Sequence, residues 1–563
     1  VREQHVIGRV ESISFKGAII RFEGAVIDAL RRNPDAVLAL SGAIGGQVKI
    51  KVGRQWLLGN VGEIEADDGT QAGIRDTVRA QVDFLGEGDE TAAGTLADFR
   101  RGVTRFPRTG DPVVAVSYTD LVELFGASGK PSIEIGAVYP TPDIRASLYI
   151  DPLLGKHFAI LGSTGSGKST TTALILHRII EKAPDAHVVM LDPHGEYGTA
   201  FKHQGVIYNV DNLALPYWLM SFEEHCEVFI QSEGVERELD KAILADCLLA
   251  ARGKNELARK FHDLTVNSPI PYLMFDLHAQ LKAQMGKLDN NSAIARYMRL
   301  SNRIDEVLQD SRYSFMFNRA LAADTMKDFL GRMLRLPGNG KPISIIDLSG
   351  VPSDLVSVVV ALLARIVLDH AVWARNERPR PVLIVCEEAH RYLPAIAVQG
   401  SSAVRTSLER IAKEGRKYGV ALGLVTQRPS DLAEGALSQC GTIIAMRLNN
   451  DRDQRRVRDA MPEGGRSFLD SIPALRRGEC IIVGEGVAIP MRVGIDELAV
   501  DKRPRSEDPL FSQHWATPGG ENEALDRTIH RWRSQADTPE ARTEAEPVSL
   551  FLRRPDNNIR DVA

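Results

Sequence analysis

The chain has 563 residues, of which 44% are hydrophobic and 25% charged, enough for roughly three or four domains with packed cores. Whole-chain disorder, a collagen-like fibre and a small disulfide scaffold are excluded. The 69 Lys and Arg against 74 Asp and Glu give a formal net charge of −5, which excludes coating of nucleic acid by bulk charge but permits a local basic channel.

Five cysteines, Cys226, Cys247, Cys386, Cys440 and Cys480, are odd in number and form no CxxC pair. That usage predicts a reduced, cytoplasmic protein without a structural zinc site. The segment Val1 to Val10 is too polar for a signal peptide, and the longest apolar run, Val356 to Leu363, is broken by Ser357. No membrane span is expected. The chain opens on Val1, which reads as the loss of a few leading residues.

In chain order, Ile7–Val10, Ala18–Phe22, Val48–Val52 and Trp56–Val61 read as short strands separated mostly by glycine turns, as in a small β-barrel. Glu63 to Asp98 carries ten acidic and two basic residues and reads as a solvated loop. Strand patterns resume at Pro112–Tyr118 and Ser132–Val138. The Pro-containing stretch Tyr139–Pro152 then reads as the domain boundary. Beyond it the period changes. Apolar runs at His157–Leu161, His187–Leu191, Ile343–Leu348, Pro381–Cys386, Val420–Val425 and Thr442–Met446 alternate with helical stretches, the pattern of a parallel α/β sheet. Helical periodicity alone fills about 215–340, a predicted insertion. After Val500 the chain is polar, with isolated aromatics Phe511, Trp515 and Trp532, and reads as a tail that packs on something else.

The strongest chemical signal follows the run Phe158–Leu161. Gly162-Ser163-Thr164-Gly165-Ser166-Gly167-Lys168-Ser169-Thr170 matches GxxxxGK[ST] between a strand and a helix. Its glycines let backbone N–H groups curl round phosphates, and the helix N-terminus adds a positive dipole end. Lys168 is placed to reach the β and γ phosphates of ATP, and Ser169 to offer a hydroxyl to Mg²⁺.

A second buried strand, Pro381–Cys386, ends in Glu387 and Glu388. The first acid suits the Mg²⁺ shell and the second the attacking water, a pairing that points to repeated ATP hydrolysis. The strand Val420–Val425 ends in Thr426 and Gln427, either able to sense a γ-phosphate. Asp192 closes another strand within Leu191-Asp-Pro-His-Gly-Glu196-Tyr197, where it can position water or metal or simply cap the strand. Arg405, Arg410, Lys413, Arg416 and Lys417 share one predicted helix, and Arg416, between glycines, is the candidate cation delivered to a neighbouring subunit. Arg452, Arg455, Arg456 and Arg458 are interleaved with acids and read as a solvated face.

The order GSTGSGKST, DPHGEY, VLIVCEEAHRYLP, GRKYGV and TQRP resembles the HerA family of hexameric DNA translocases, relatives of FtsK and of conjugative pump ATPases. The resemblance implies an α/β, RecA-like P-loop NTPase core at 140–500, with the insertion at about 215–340. It also implies a HAS-type barrel over 1–135 and a tail over 501–563 that braces a neighbouring subunit. Residues 162–170 with Asp192 and Glu196 would hold ATP, and Ser169 and Glu387 the Mg²⁺. Lys168, Glu387, Glu388 and Gln427 would carry the chemistry, Arg416 would act in trans, and Lys156 would stand where the family has an arginine. The implied assembly is a homo-hexamer on double-stranded DNA, partnered by a nuclease or a Sir2-like NAD-consuming protein, in DNA-end processing or antiphage defence. A ring scaffold controlling an effector and a conjugative-type pump are the alternatives.

Overall fold

A computed structural model describes residues 6–66, 77–126, 129–139, 141, 143–287, 290–396, 402–461, 466–505, 511–516 and 522–534. Its first seven strands are β1 (Val6–Ile13), β2 (Gly17–Glu23), β3 (Gln47–Val52), β4 (Gln55–Ala66), β5 (Thr77–Glu90), β6 (Leu96–Arg101) and β7 (Pro112–Ala115). They run in the order β2-β1-β7-β3-β4-β5-β6, and a β2–β5 pairing closes six of them into a barrel with β6 appended to β5. Closure leaves those six without a free edge. Ile7, Val10, Ile20, Phe22, Val48, Ile50, Val82 and Val113 fill the interior.

The acidic stretch Glu63–Asp98 is not a loop. Outside residues 67–76, which are not described, it forms the end of β4, all of β5 and the start of β6. Ala80 and Val82 are buried while Gln81 between them is exposed. This alternation decides the structure, because a strand with one face in water tolerates any number of acids on that face.

The expected boundary at Tyr139–Pro152 also moves. β8 (Ser132–Val138) and β9 (Arg145–Tyr149) form a hairpin, and β8 pairs with β18 (Met491–Ile495) at the far side of the second sheet. The barrel therefore ends before Ser132.

The second sheet continues with β10 (Phe158–Leu161), β11 (His187–Asp192), β12 (Gly205–Tyr208), β13 (Ile343–Asp347), β14 (Val382–Cys386), β15 (Val420–Thr426), β16 (Thr442–Met446) and β17 (Glu479–Gly484). The order is β12-β13-β11-β14-β15-β10-β16-β17-β18-β8-β9. β12 through β16 are parallel, and the last four strands extend them antiparallel. The six runs expected from the sequence are all strands. β12 and β17 were not anticipated, since apolar runs this short do not distinguish strand from helix by periodicity.

Both faces of the parallel part are covered. Phe158 and Ile160 join the cluster containing Leu174, Ile175 and Ile179 of the helix Lys168–Lys182, while Ala159 and Leu161 join the cluster on the other face. Burial on two faces is why these strands read as unbroken apolar runs. The second cluster includes helix Ser353–Trp373, which has a mean hydropathy of 2.1 and the length to cross a bilayer. Here 61% of its most apolar 18-residue window is buried within the fold, and the helix packs on helix Ser402–Tyr418.

The insertion is helical, with Phe222–Phe229, Gly234–Gly253, Met274–Met285, Asn291–Gln309 and Met326–Met333 packed round Trp218, Phe229 and Phe317. Arg101 fixes the barrel to the core by donating to the carbonyls of Ala488 (2.7 Å) and Gly484 (2.5 Å). All five cysteines are free and buried. Residues 507–563 form a separate unit with helices Phe511–Ala516 and Asn522–Ser534, in which Phe511, Trp515 and Trp532 are exposed.

Candidate active site

The phosphate cradle begins where β10 ends. Gly165 and Gly167 adopt φ of 76° and 111°, which side chains disfavour. A Cβ on Gly162 would lie 2.6 Å from Ser166 Oγ and 2.8 Å from Met446 Cβ. The loop is braced from β16, because Ser163 N and Ser163 Oγ both donate to the Arg447 carbonyl, at 2.8 and 2.9 Å. Lys168, Ser169 and Thr170 open the following helix. Lys168 is buried, and its Nζ donates to the Ser163 carbonyl at 3.2 Å. Burial pulls its ammonium below the usual lysine range, against the attraction of Glu387, Glu388 and Glu196.

Glu387 follows β14 and is 5% exposed. Its Oε1 accepts from Tyr197 Oη at 2.9 Å and from Ser169 Oγ at 3.3 Å, while its Oε2 is buried with no hydrogen-bond partner. Burial pushes this carboxyl up to about 8, against the Tyr197 hydrogen bond, which favours the charged form. An orphaned carboxylate oxygen beside a serine hydroxyl fits the protein's share of a P-loop Mg²⁺ site, whose other ligands are phosphates and water.

Glu388 sits in the left-handed region, with φ of 50°, a strained conformation for a glutamate. Its Oε2 is 3.2 Å from His390 Nδ1 without forming a hydrogen bond. That nitrogen instead lies 3.0 Å from Thr426 Oγ1, which also accepts from Arg428 N at 3.1 Å. Burial holds His390 toward its neutral form. Thr426 is thus a buried bracket for His390, and Gln427 is the strand-end residue that meets the cradle, accepting a hydrogen bond from Thr164 Oγ1.

Asp192 does not face this centre with free oxygens. It is fully buried and accepts from His194 N at 3.3 Å and Tyr197 N at 2.9 Å, so it shapes the turn that presents Glu196 and Tyr197. Of the roles the sequence allows it, the hydrogen bonds show the capping one. Sequence reasoning missed Tyr197 as the partner of Glu387, and also His390. The visible signal for Tyr197 was the DPHGEY segment itself.

Two candidates lie at the opposite edge of the sheet. Leu161 pairs with Thr426 at the cradle end, whereas Arg416 precedes the first residue of β15. The seven residues of β15 span about 20 Å at ~3.3 Å per residue, so Arg416 cannot reach its own cradle. It is exposed and lines a groove with Arg378 and Arg380. Arg405 pairs with Glu409 (2.8 Å), Arg410 with Glu414 (3.4 Å) and Lys413 with Glu409 (3.5 Å). Arg416 and Lys417 make no side-chain ion pair among the described residues. Lys156 precedes β10 at this same edge and is ion-paired with Glu485. Arg456 and Arg458 are paired with Glu434 (3.3 Å) and Asp470 (2.8 Å).

Residues 133–367 match the family described as Helicase HerA, central domain. The DNA double-strand break repair helicase HerA of Pyrococcus furiosus is 29% identical over 470 residues, covering 73% of this chain and 78% of that one. The helicase of the same name from Sulfolobus acidocaldarius is 25% identical over 435 residues, covering 76% and 80%. Among solved structures, VirB4 of Thermoanaerobacter pseudethanolicus aligns with a TM-score of 0.49 at 17% identity, over 67% of this chain and 99% of that one. The conjugative coupling protein TrwB aligns with a TM-score of 0.46 at 14% identity, over 72% and 96%. By its matched central domain and its likeness to these helicases over most of its length, the chain is similar to the HerA family.

Proposed function

We propose that this protein is an ATP-driven translocase and helicase on double-stranded DNA, working in the cytoplasm as a homo-hexameric ring. The observation that carries the reading is the division of the site. The cradle, Glu387, Glu388 and Gln427 cluster at one end of the sheet, while Arg416, which makes no ion pair among the described residues, stands about 20 Å away at the other. A ring that joins unlike edges of successive copies brings the two halves together.

In that site the backbone N–H groups of residues 162–168 and the Lys168 ammonium bind the ATP phosphates. Ser169 and Glu387 would hold Mg²⁺, which neutralises charge on the β and γ phosphates when bound. Glu388 orients the attacking water and accepts its proton as the O–P bond to the γ-phosphorus forms and the bond to ADP breaks. Gln427, tied to Thr164, couples the state of the γ-phosphate to the end of β15. Arg416 from a neighbouring copy stabilises charge on the transferring phosphoryl group.

The resemblance to HerA proteins supports a partner effector, either a nuclease or a Sir2-like NAD-consuming protein, and a role in antiphage defence or DNA-end processing. It also supports the barrel as the partner-facing domain and residues 501–563 as a brace on the next subunit. The test is ATP turnover by the isolated protein with and without linear duplex DNA. Stimulation by duplex is expected. Turnover that ignores duplex and responds only to a co-purified partner would favour a ring scaffold instead.

A further inference from the structure

We infer that Arg447 is a nucleotide-binding residue acting in cis, closing on the terminal phosphate of the ATP held by its own cradle. The inference rests on the proposed ATPase reading and adds a residue that no motif supplies.

Arg447 immediately follows β16, the strand beside β10 on the side away from β15. Its main chain is part of the cradle, since its carbonyl receives both the N–H and the hydroxyl of Ser163. The Ser163 carbonyl in turn receives the Lys168 ammonium, the group that reaches the β and γ phosphates. Arg447 is therefore anchored one residue from the resting place of the phosphate-binding lysine. Thr164, next in the loop, is bonded to Gln427 beyond β15, so the cradle is flanked by Gln427 on one side and by Arg447 on the other.

The guanidinium is in an unusual position for a cation. Arg447 is half-buried, its Nε is buried with no hydrogen-bond partner, and its side chain makes no ion pair among the described residues. Three of the four arginines of the following helix have acceptors, although the Arg456 Nε is likewise unpartnered. Arg456 and Arg458 are held by Glu434 and Asp470, and Arg455 donates to the Asp451 carbonyl at 3.3 Å. A buried guanidinium N–H without a partner is costly, and an anion brought to it relieves that cost. The acids nearest the cradle are already drawn to Lys168, as its attraction to Glu387, Glu388 and Glu196 shows. The anion that fits is the polyphosphate, met by a planar fork suited to two oxygens.

The experiment compares wild type, Arg447→Gln and Arg447→Lys as full chains, with binding of Mg²⁺ and a non-hydrolysable ATP analogue measured alongside binding of ADP. Arg447→Gln should weaken the analogue by about tenfold to a hundredfold, the range of a charge-assisted contact, and ADP by far less. Arg447→Lys should recover part of the loss and keep the wild-type melting temperature. Equal affinities in all three proteins overturn the inference. So do equal losses for analogue and ADP with a lowered melting temperature, which mark a structural role. If wild type binds neither nucleotide, the ATPase reading fails and this inference with it.

Discussion

Tyr197 donates a 2.9 Å hydrogen bond to Glu387 across 190 residues of sequence, and so joins the turn after β11 to the acid after β14. Both side chains are buried, and Glu387 is the carboxylate whose second oxygen has no partner. The tyrosine stabilises the charged form of an acid that burial drives toward neutrality. In Tyr197→Phe that support is lost. The carboxyl should rise further, and more Mg²⁺ should be needed for half-maximal turnover. A hydrogen bond to a charged group contributes about 1.5–3 kcal/mol, so the Mg²⁺ requirement should increase by about tenfold or more. A Mg²⁺ titration of ATP turnover decides it, and an unchanged midpoint would show that Tyr197 merely packs.

Lys168 and Glu388 should separate binding from chemistry. Lys168 lies within the cradle, where the proposed ATPase reading gives it direct phosphate contacts, so Lys168→Ala should lose ATP binding along with hydrolysis. Glu388→Gln keeps the volume and removes the proton acceptor, so turnover should fall by about 10²–10⁴ while analogue binding stays near wild type. Direct binding with a fluorescent ATP analogue reads both variants. Near-normal turnover in Glu388→Gln would return the role of base to Glu387.

Much of this site was legible because its chemistry depends on short local motifs. The cradle, the paired acids and Gln427 each end a strand whose apolar run is unbroken, and parallel strands deliver their ends to one edge. What the sequence did not reveal depends on contacts between distant segments. Tyr197 becomes functional only through Glu387. His157, which accepts from Leu422 N at 3.0 Å and lies 3.1 Å from the Ala412 carbonyl, pins the basic helix to β10 and β15 through residues more than 250 positions away. In the barrel the failure was one of weighting, since the acid count of Glu63–Asp98 outweighed the alternation along β5. The β8–β9 hairpin was missed because the prolines of the stretch Tyr139–Pro152 read as a linker.

Glu227 should make stability depend on pH. It lies on helix Phe222–Phe229 and its Oε1 accepts from Ala403 N at 2.8 Å, capping the start of helix Ser402–Tyr418 from outside. Burial raises its carboxyl to about 7, helped by Glu224 and Glu223 and opposed by the Ala403 N–H and Arg237. The folded value lies above the unfolded 4.5, so the native state binds the proton more tightly. Its stabilisation is complete below about 4.5 and is lost as pH rises through about 7. Glu227→Gln, which mimics the protonated form, should flatten the fall in melting temperature over that window, removing about 1–3 kcal/mol of pH dependence. Parallel melting curves for the two proteins across the window would rule out Glu227 as the source.

Arg416 supplies the test of the ring. Its partners on the same helix, Arg405, Arg410 and Lys413, are held by Glu409 and Glu414, which leaves Arg416 at the helix end beside Arg378 and Arg380. If a neighbouring copy brings its cradle to that groove, Arg416→Ala should hydrolyse ATP slowly while binding it normally. Arginines that act on a transferring phosphoryl group in this way contribute about 10³–10⁵ in rate. Glu388→Gln fails for the opposite reason, since its arginine is intact and its base is gone. In mixed rings, a cradle from the first variant facing an arginine from the second is complete, so turnover should return on mixing the two inactive proteins. The signal should depend on the mixing ratio and peak near equal amounts, where unlike neighbours are most frequent. A mixture no more active than its components, in rings shown to exchange subunits, would place Arg416 outside the active site and direct the search to Arg378 and Arg380 on the same edge.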